Sequence, residues 1–287
     1  MQAIETLRRG EVGKALAELQ DQVRAKPQDP PSRVFLFQLL ALVGQWDRAL
    51  NQLQVCGQLD PLAQTMVQAY TQTIRCENLR AQVFAGKKTP LVLGEPEPWV
   101  ALLLQALAHR GRGEHAAADA LRDQAFEAAS ATPGTISWRA SGKGEDEVVK
   151  SQRFEWLADA DQRLGPVFEA IVDGRYYWVP VANIRTIRLE PPTDLRDLIW
   201  MPAQFVWASG GEQIGFIPTR YPGSEASDDD AIRMARKTDW VAAAGGFETG
   251  LGQRLIATDA GEYPLLDIRK VEFDAAAAPT GETTAHG

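Results

Sequence analysis

GEVGKALAELQDQVRAKP at residues 10–27 and GQWDRALNQLQVCGQLDP at residues 44–61 carry one pattern twice. Gly10 and Gly44, Ala15 and Ala49, Leu16 and Leu50, Leu19 and Leu53, Gln20 and Gln54, and Pro27 and Pro61 all stand 34 residues apart (44 − 10). Glycine lets two helices reverse sharply. A small alanine lets their backbones approach, and a proline marks where a helix cannot simply continue. A period of this length therefore predicts helical hairpins stacked side by side, each burying its apolar face on the next.

The period is that of the tetratricopeptide repeat. It returns, blurred, in WVALLLQALAHRGRGEHAAADALRDQAFEAAS (99–130), where Gly113, Ala118 and Leu121 fall near the expected places. Between the copies, PLAQTMVQAYTQTIRCENLRAQVF (61–84) reads as one long helix and LVLGEPEPW (91–99) as a connecting loop. Residues 1–131 are thus expected to form an all-helical array, a scaffold that offers a concave groove but no chemistry. The first helix of each hairpin would line that groove. In PSRVFLFQLLALVG, Arg33 and Gln38 are the polar candidates and Phe35 or Phe37 the apolar anchor.

After ATPGT the pattern changes. SGKGEDEVVK reads as an exposed connection or helix start, so 132–152 is taken as a connecting segment. Three hairpin-like passages follow: VFEAIVDGRYYWVPVANIRTIRLE, AQFVWASGGEQIGFIPTRY and RLIATDAGEYPLLDIRKVEF. Each sets two β-branched and aromatic runs about a glycine turn. Asp173–Gly174 is a tight-turn signal, because both positions favour positive φ. The first and third passages share a tail, NIRTIRL and DIRKVEF. EPPTDLRDLIWMPAQFVW (190–207) reads as a corner, with Thr193 or Asp194 capping one turn from Leu195 to Leu198. Ser227 is placed to cap a helix that opens on Asp228–Asp230 and ends near Arg233, Arg236 and Lys237. The class is α+β: the helical array, then a β-rich domain over 153–275, a small twisted sheet or partly closed barrel with short helices. Residues 276–287 are expected to form a disordered tail.

The net charge of −8 argues against wrapping nucleic acid, whose phosphates call for a basic excess. No stretch approaches the roughly 20 apolar residues of a membrane span. The N-terminus alternates charged and apolar residues rather than holding a signal-peptide core, and two cysteines are no disulfide framework, so a cytoplasmic protein is expected. Three histidines give a catalytic triad few recruits, and no GxSxG elbow is present. Cys56 and Cys76 lack the spacing of a zinc knuckle. AGKKTP (85–90) lacks the upstream glycine of a phosphate loop, and GGFETGLG (245–252) lacks dinucleotide spacing; both read as flexible loops. No metal or cofactor is expected, and no enzymatic activity. Arg196, Asp197, Arg220, Tyr221 and Arg254 are the candidate contact residues of the β-rich domain, since arginine suits bidentate recognition of anions. An enzyme acting on a small ligand there stays open as an alternative.

The strings LGPVFEAIVDGRYYWVP (164–180), PPTDLRDLIWMPAQFVW (191–207), IGFIPTRYPGSE (214–225) and TGLGQRLIATDAGEYPLLDIR (249–269) resemble the ImpE/TagJ family, accessory proteins of bacterial type VI secretion systems also called SciE-type. The likeness is dense over about 150–273, and the family also carries a repeat-like N-terminal half. It implies a cytoplasmic, non-enzymatic adaptor. Its partner would be the contractile sheath, through the N-terminal helix of the small sheath subunit, with a link to the AAA+ ATPase that disassembles contracted sheath. A scaffold for another cytoplasmic partner, such as an effector or regulator, is the alternative.

Overall fold

The structure is a computed structural model that describes residues 2–94 and 97–274. The tail expected over 276–287 lies outside the described residues. Helices α1 (Gln2–Arg8), α2 (Val12–Ala25), α3 (Pro30–Leu42), α4 (Trp46–Leu59), α5 (Gln64–Phe84), α6 (Pro98–Gly111) and α7 (His115–Ala128) make up the first half. The turns between α1 and α2, α3 and α4, and α6 and α7 hold Gly10, Gly44 and Gly113, all at positive φ. Ala15, Ala49 and Ala118 are fully buried, as close helix approach requires. AGKKTP is the end of α5 and its turn: Gly86 sits at φ +68°, and a Cβ there would lie 2.3 Å from the Leu107 carbonyl oxygen on α6. Gly86→Ala meets both a left-handed backbone and a backbone atom, so we expect a loss of at least about 1–2 kcal/mol in urea unfolding.

The β-rich half is an open sheet rather than a barrel. Its strands are β1 (Leu91–Val92), β2 (Gly134–Ser141), β3 (Val148–Phe154), β5 (Val167–Val172), β6 (Arg175–Pro180), β7 (Ile184–Leu189), β8 (Trp200–Trp207), β9 (Glu212–Pro218) and β14 (Ile268–Phe273). Their order is β1-β6-β5-β9-β8-β7-β14-β2-β3, so the ends do not meet. Two departures from the sequence reading stand out. The segment 132–152 holds β2 and β3, and the loop 91–99 donates β1, which pairs parallel with β6. β4 (Leu157–Asp159), β12 (Leu255–Thr258) and β13 (Gly261–Pro264) form a separate three-stranded sheet. GGFETGLG is no free loop, because β10 (Thr238–Ala243) and β11 (Phe247–Gly252) pair as a hairpin over most of it.

The shared tails turn out to be neighbours. β7 and β14 pair antiparallel, Ile187 opposite Val271. Each closes a hairpin followed by a short 3₁₀ turn, and Pro180/Pro264, Ile184/Ile268 and Arg185/Arg269 lie 84 residues apart (264 − 180). Helix α8 is a single turn, Asp230–Arg233, and its cap is Asp229 rather than Ser227, because the Asp229 carboxylate accepts from the Ala231 N–H.

Candidate functional site

Helix α3 decides where a partner could sit. Residues two apart on a helix point to nearly opposite sides. Phe35 and Phe37 therefore cannot share a face. Phe37 is fully buried, its ring 5.7 Å from that of Tyr70 on α5. Phe35, one turn from Pro31, keeps a partly exposed ring. With Ile4, Pro30, Pro31, Val34 and Gln38 it lines an open groove of ≈ 610 Å³ on α1 and α3, and Asp60 stands at the edge. The prolines are at the start of α3, where Asp29 caps the helix by accepting from the Ser32 N–H. Arg33 faces away from this floor. Its Nε donates to the Pro27 carbonyl at 2.6 Å and its Nη1 to Gln52 Oε1 at 2.8 Å, tying the turn to α4. Of the four groove candidates, the structure brings Phe35 and Gln38 together, holds Arg33 in a local cross-brace and puts Phe37 in the core.

The other helical surface is occupied by the chain's own second half. Tyr70 lies 5.8 Å from Trp200 and 5.4 Å from Phe216, and Trp46 lies 6.1 Å from Trp200. One apolar cluster holds Leu39, Leu40 and Ile74 from helices together with Val167, Ile171 and Trp178 from the sheet. The corner 190–207 forms this joint. Asp194 and Asp197 make a capping box about the turn Leu195–Leu198. Arg196 then lays its guanidinium 4.8 Å from the Tyr70 ring while donating to Asp194.

Arg220, Tyr221, Arg254 and Asp197, expected as surface contacts, are all buried. Interior guanidiniums must be paired or donate to carbonyls, and these do both. Arg254 binds Asp159 through Nη1, Glu169 through Nη2 and the Pro218 carbonyl through Nε. Arg80 grips Glu169 from α5 with Nε at 2.6 Å and Nη2 at 2.9 Å. Tyr176 donates to Glu169, Trp178 to Tyr176 and Trp200 to Glu77. Among the described residues Arg220 contacts no carboxylate directly. Its Nη1 donates to the carbonyls of Leu42 and Arg233, the last residues of α3 and α8, where helix dipoles favour a cation. Burial nonetheless pushes its pKa down to about 10. Arg80 and Glu169 escaped the sequence reading. Glu169 left a trace, as the one charge in an all-buried strand, VFEAIV.

The network titrates in two directions. Burial pushes Asp159 up to about 6, against the pull of Arg254. Burial also acts to raise Glu169, but Arg80 and Arg254 outweigh it and hold that carboxyl down at about 2. The folded state thus takes up a proton at Asp159 more readily than the unfolded chain, and this group favours folding as pH falls through 6. Glu169 has the opposite sign: its contribution is complete above its ordinary value of 4.5 and is lost as pH falls from there toward 2. We expect the urea midpoint of the wild-type chain to fall steeply below pH 4.5. Asp159→Asn should change the slope between pH 7 and 4, while the acid collapse persists. Both Asp159 oxygens are engaged, by Arg254 on one side and by Tyr221 and the Asp161 N–H on the other. Among the described residues no group of three or more His, Cys, Asp or Glu side chains is placed to hold a metal ion. No described helix is long and apolar enough to cross a membrane.

Helical hairpins joined to an open β sheet by a shared apolar cluster and buried ion pairs define the class: a two-part α+β protein with an open groove on its first helices. Residues 151–272 match the model of the family described as ImpE protein. A curated Pseudomonas aeruginosa protein, described as "Type VI secretion system accessory component TagJ", is 50% identical over 276 residues, covering 96% of this chain and 92% of that one. The chain belongs to the ImpE/TagJ family of type VI secretion accessory proteins. A crystal structure of a Vibrio parahaemolyticus protein shares the fold, with a TM-score of 0.82 at 24% identity over 96% of this chain and 99% of that one.

Proposed function

We propose that the chain is a non-enzymatic cytoplasmic adaptor of a type VI secretion system, and that its helical half is a tetratricopeptide-like array taking the N-terminal helix of the small sheath subunit into the groove under Phe35. The observation that carries this reading is the groove itself. An amphipathic helix buries its i, i+3, i+4 and i+7 side chains in such an apolar trough, and Ile4, Val34 and Phe35 supply the apolar walls beside the polar Gln38. A bridge to the AAA+ ATPase is the wider form of the proposal. The test is a pull-down of purified small sheath subunit, intact and without its N-terminal helix. Loss of binding on removing the helix supports the reading; equal capture of both forms overturns it. Adding the purified ATPase to the same assay decides the bridge.

One feature favours a second, ligand-binding reading. A cleft of ≈ 450 Å³ opens between the end of α7 and β4, walled by Phe126, Trp156, Leu157 and Pro166. Native mass spectrometry of washed protein would reveal a retained small molecule; its absence leaves the adaptor reading alone.

A further inference from the structure

One wall of the cleft between α7 and β4 is a strand edge. β4 pairs with β12 on its other side, Ala158 opposite Ala257. Asp159 instead donates its N–H to the Gly165 carbonyl at 2.7 Å, while the Ala160 N–H donates to Leu255 on β12 at 3.0 Å. Backbone groups alternate along a strand, so those of Leu157 and Asp159 point away from β12. Among the described residues no backbone group meets the Leu157 N–H and C=O or the Asp159 C=O. The Asp159 side chain is 1% exposed, so what this residue offers the cleft is its backbone. We propose that residues 275–279, AAAAP, return along β4 and fill this cleft, so that the chain covers its own strand edge.

The place where the sheet releases the chain names the occupant. Residues 275–279 lie outside the described residues, but their starting point does not. β14 ends one residue before Asp274, whose N–H donates to the Pro133 carbonyl at 2.9 Å and whose carboxylate meets Arg153 at 2.5 Å. Pro133 adjoins Thr132 on one wall of the cleft, and Arg153 stands three residues before Trp156 on the other. The chain therefore leaves the sheet at the mouth of the cleft. Its composition fits the space. Ala131, Ala158 and Ala160 line the cleft between Phe126 and Trp156, and four alanines enter with neither bulk nor charge. An extended chain advances about 3.3 Å per residue, so five residues span roughly 16 Å, more than the three-residue length of β4. Pro279 has no N–H to give a ladder and suits the end of a short edge pairing. Tethering lowers what the contact itself must supply. A segment a few residues from its site is present at roughly millimolar effective concentration, so an intrinsic Kd of about 100 µM keeps it docked about ten to one.

This inference does not depend on the adaptor reading, and it competes with a retained small molecule for the same cleft. The test is hydrogen–deuterium exchange of the full chain, resolved to single amides. The Leu157 amide should exchange about tenfold slower in the wild type than in Ala276→Asp with Ala277→Asp, at unchanged circular dichroism. Neighbouring positions of an extended segment face opposite sides, so one of the two carboxylates has to enter the cleft and lose its water. Thr283→Asp with Thr284→Asp, beyond the docking segment, should leave the slow exchange as it is. Equal exchange at Leu157 in the wild type and the alanine variant overturns the proposal. Protection that rises with protein concentration would assign the cleft to a second copy, and a small molecule retained by washed protein would assign it to a ligand; either result also overturns it.

Discussion

Glu169→Gln is expected to lower the unfolding free energy by about 3–5 kcal/mol, the cost of removing one partner from a buried ion pair. Glutamine keeps the volume and one acceptor oxygen, so the variant isolates the charge. Glu169 is fully buried and receives Arg80, Arg254 and Tyr176 together. Without its charge, Arg254 keeps Asp159, while Arg80 keeps one carboxylate, Glu77 at 3.4 Å, and the Arg220 carbonyl at 2.8 Å. Urea unfolding at pH 7, with an unchanged slope, reads the loss directly. At roughly 2–4 °C per kcal/mol, Tm should fall by about 10 °C. Replacing both partners, Arg80→Met with Glu169→Leu, should recover much of the loss, because an apolar pair of similar volume leaves no orphaned charge. A loss below about 1 kcal/mol would give this pair no more weight than an exposed surface bridge. The pair also joins α5 to β5, so the expected loss bears on how firmly the two halves of the chain hold each other.

That coupling is what local sequence could not reveal. The hairpins of the first half were legible because their signals are local: a glycine at each turn, an alanine five residues on, a proline at the end. The tight turns at Asp173–Gly174 and Gly210–Gly211 were legible for the same reason, and both glycines of the second pair sit at positive φ. β3 was missed because both of its faces meet solvent, so VVKSQRF shows no alternation of apolar and polar residues. β1 is two residues long and exists only because β6 offers it a ladder. Arg220 and Arg254 read as surface contacts because arginine is usually exposed; only the folded chain brings Asp159, Glu169 and the helix carbonyls to meet them. On α3, the spacing of Phe35 and Phe37 already required one of them to face inward. Which one was settled by Tyr70, a residue 33 positions further along (70 − 37).

Phe35→Asp is expected to weaken capture of the sheath-subunit helix by at least about 30-fold, since truncating a central aromatic anchor costs 2 kcal/mol or more. Here a charge is also set on the groove wall, where the apolar face of the incoming helix would have to desolvate it. The folded scaffold should tolerate the change, because the Phe35 ring is partly exposed and the core position on this helix is Phe37. Isothermal titration with a synthetic peptide of the subunit's N-terminal helix measures the binding, and Tm reports the fold. Phe37→Asp is the contrasting variant: it buries a carboxylate against Tyr70 and should unfold the helical half rather than weaken binding selectively. Arg33→Glu should change affinity little, because its guanidinium is committed to Pro27 and Gln52. Unchanged peptide affinity in Phe35→Asp would take the groove out of the binding reaction. A loss in Arg33→Glu alone would move the site to the outer side of α3, toward α4.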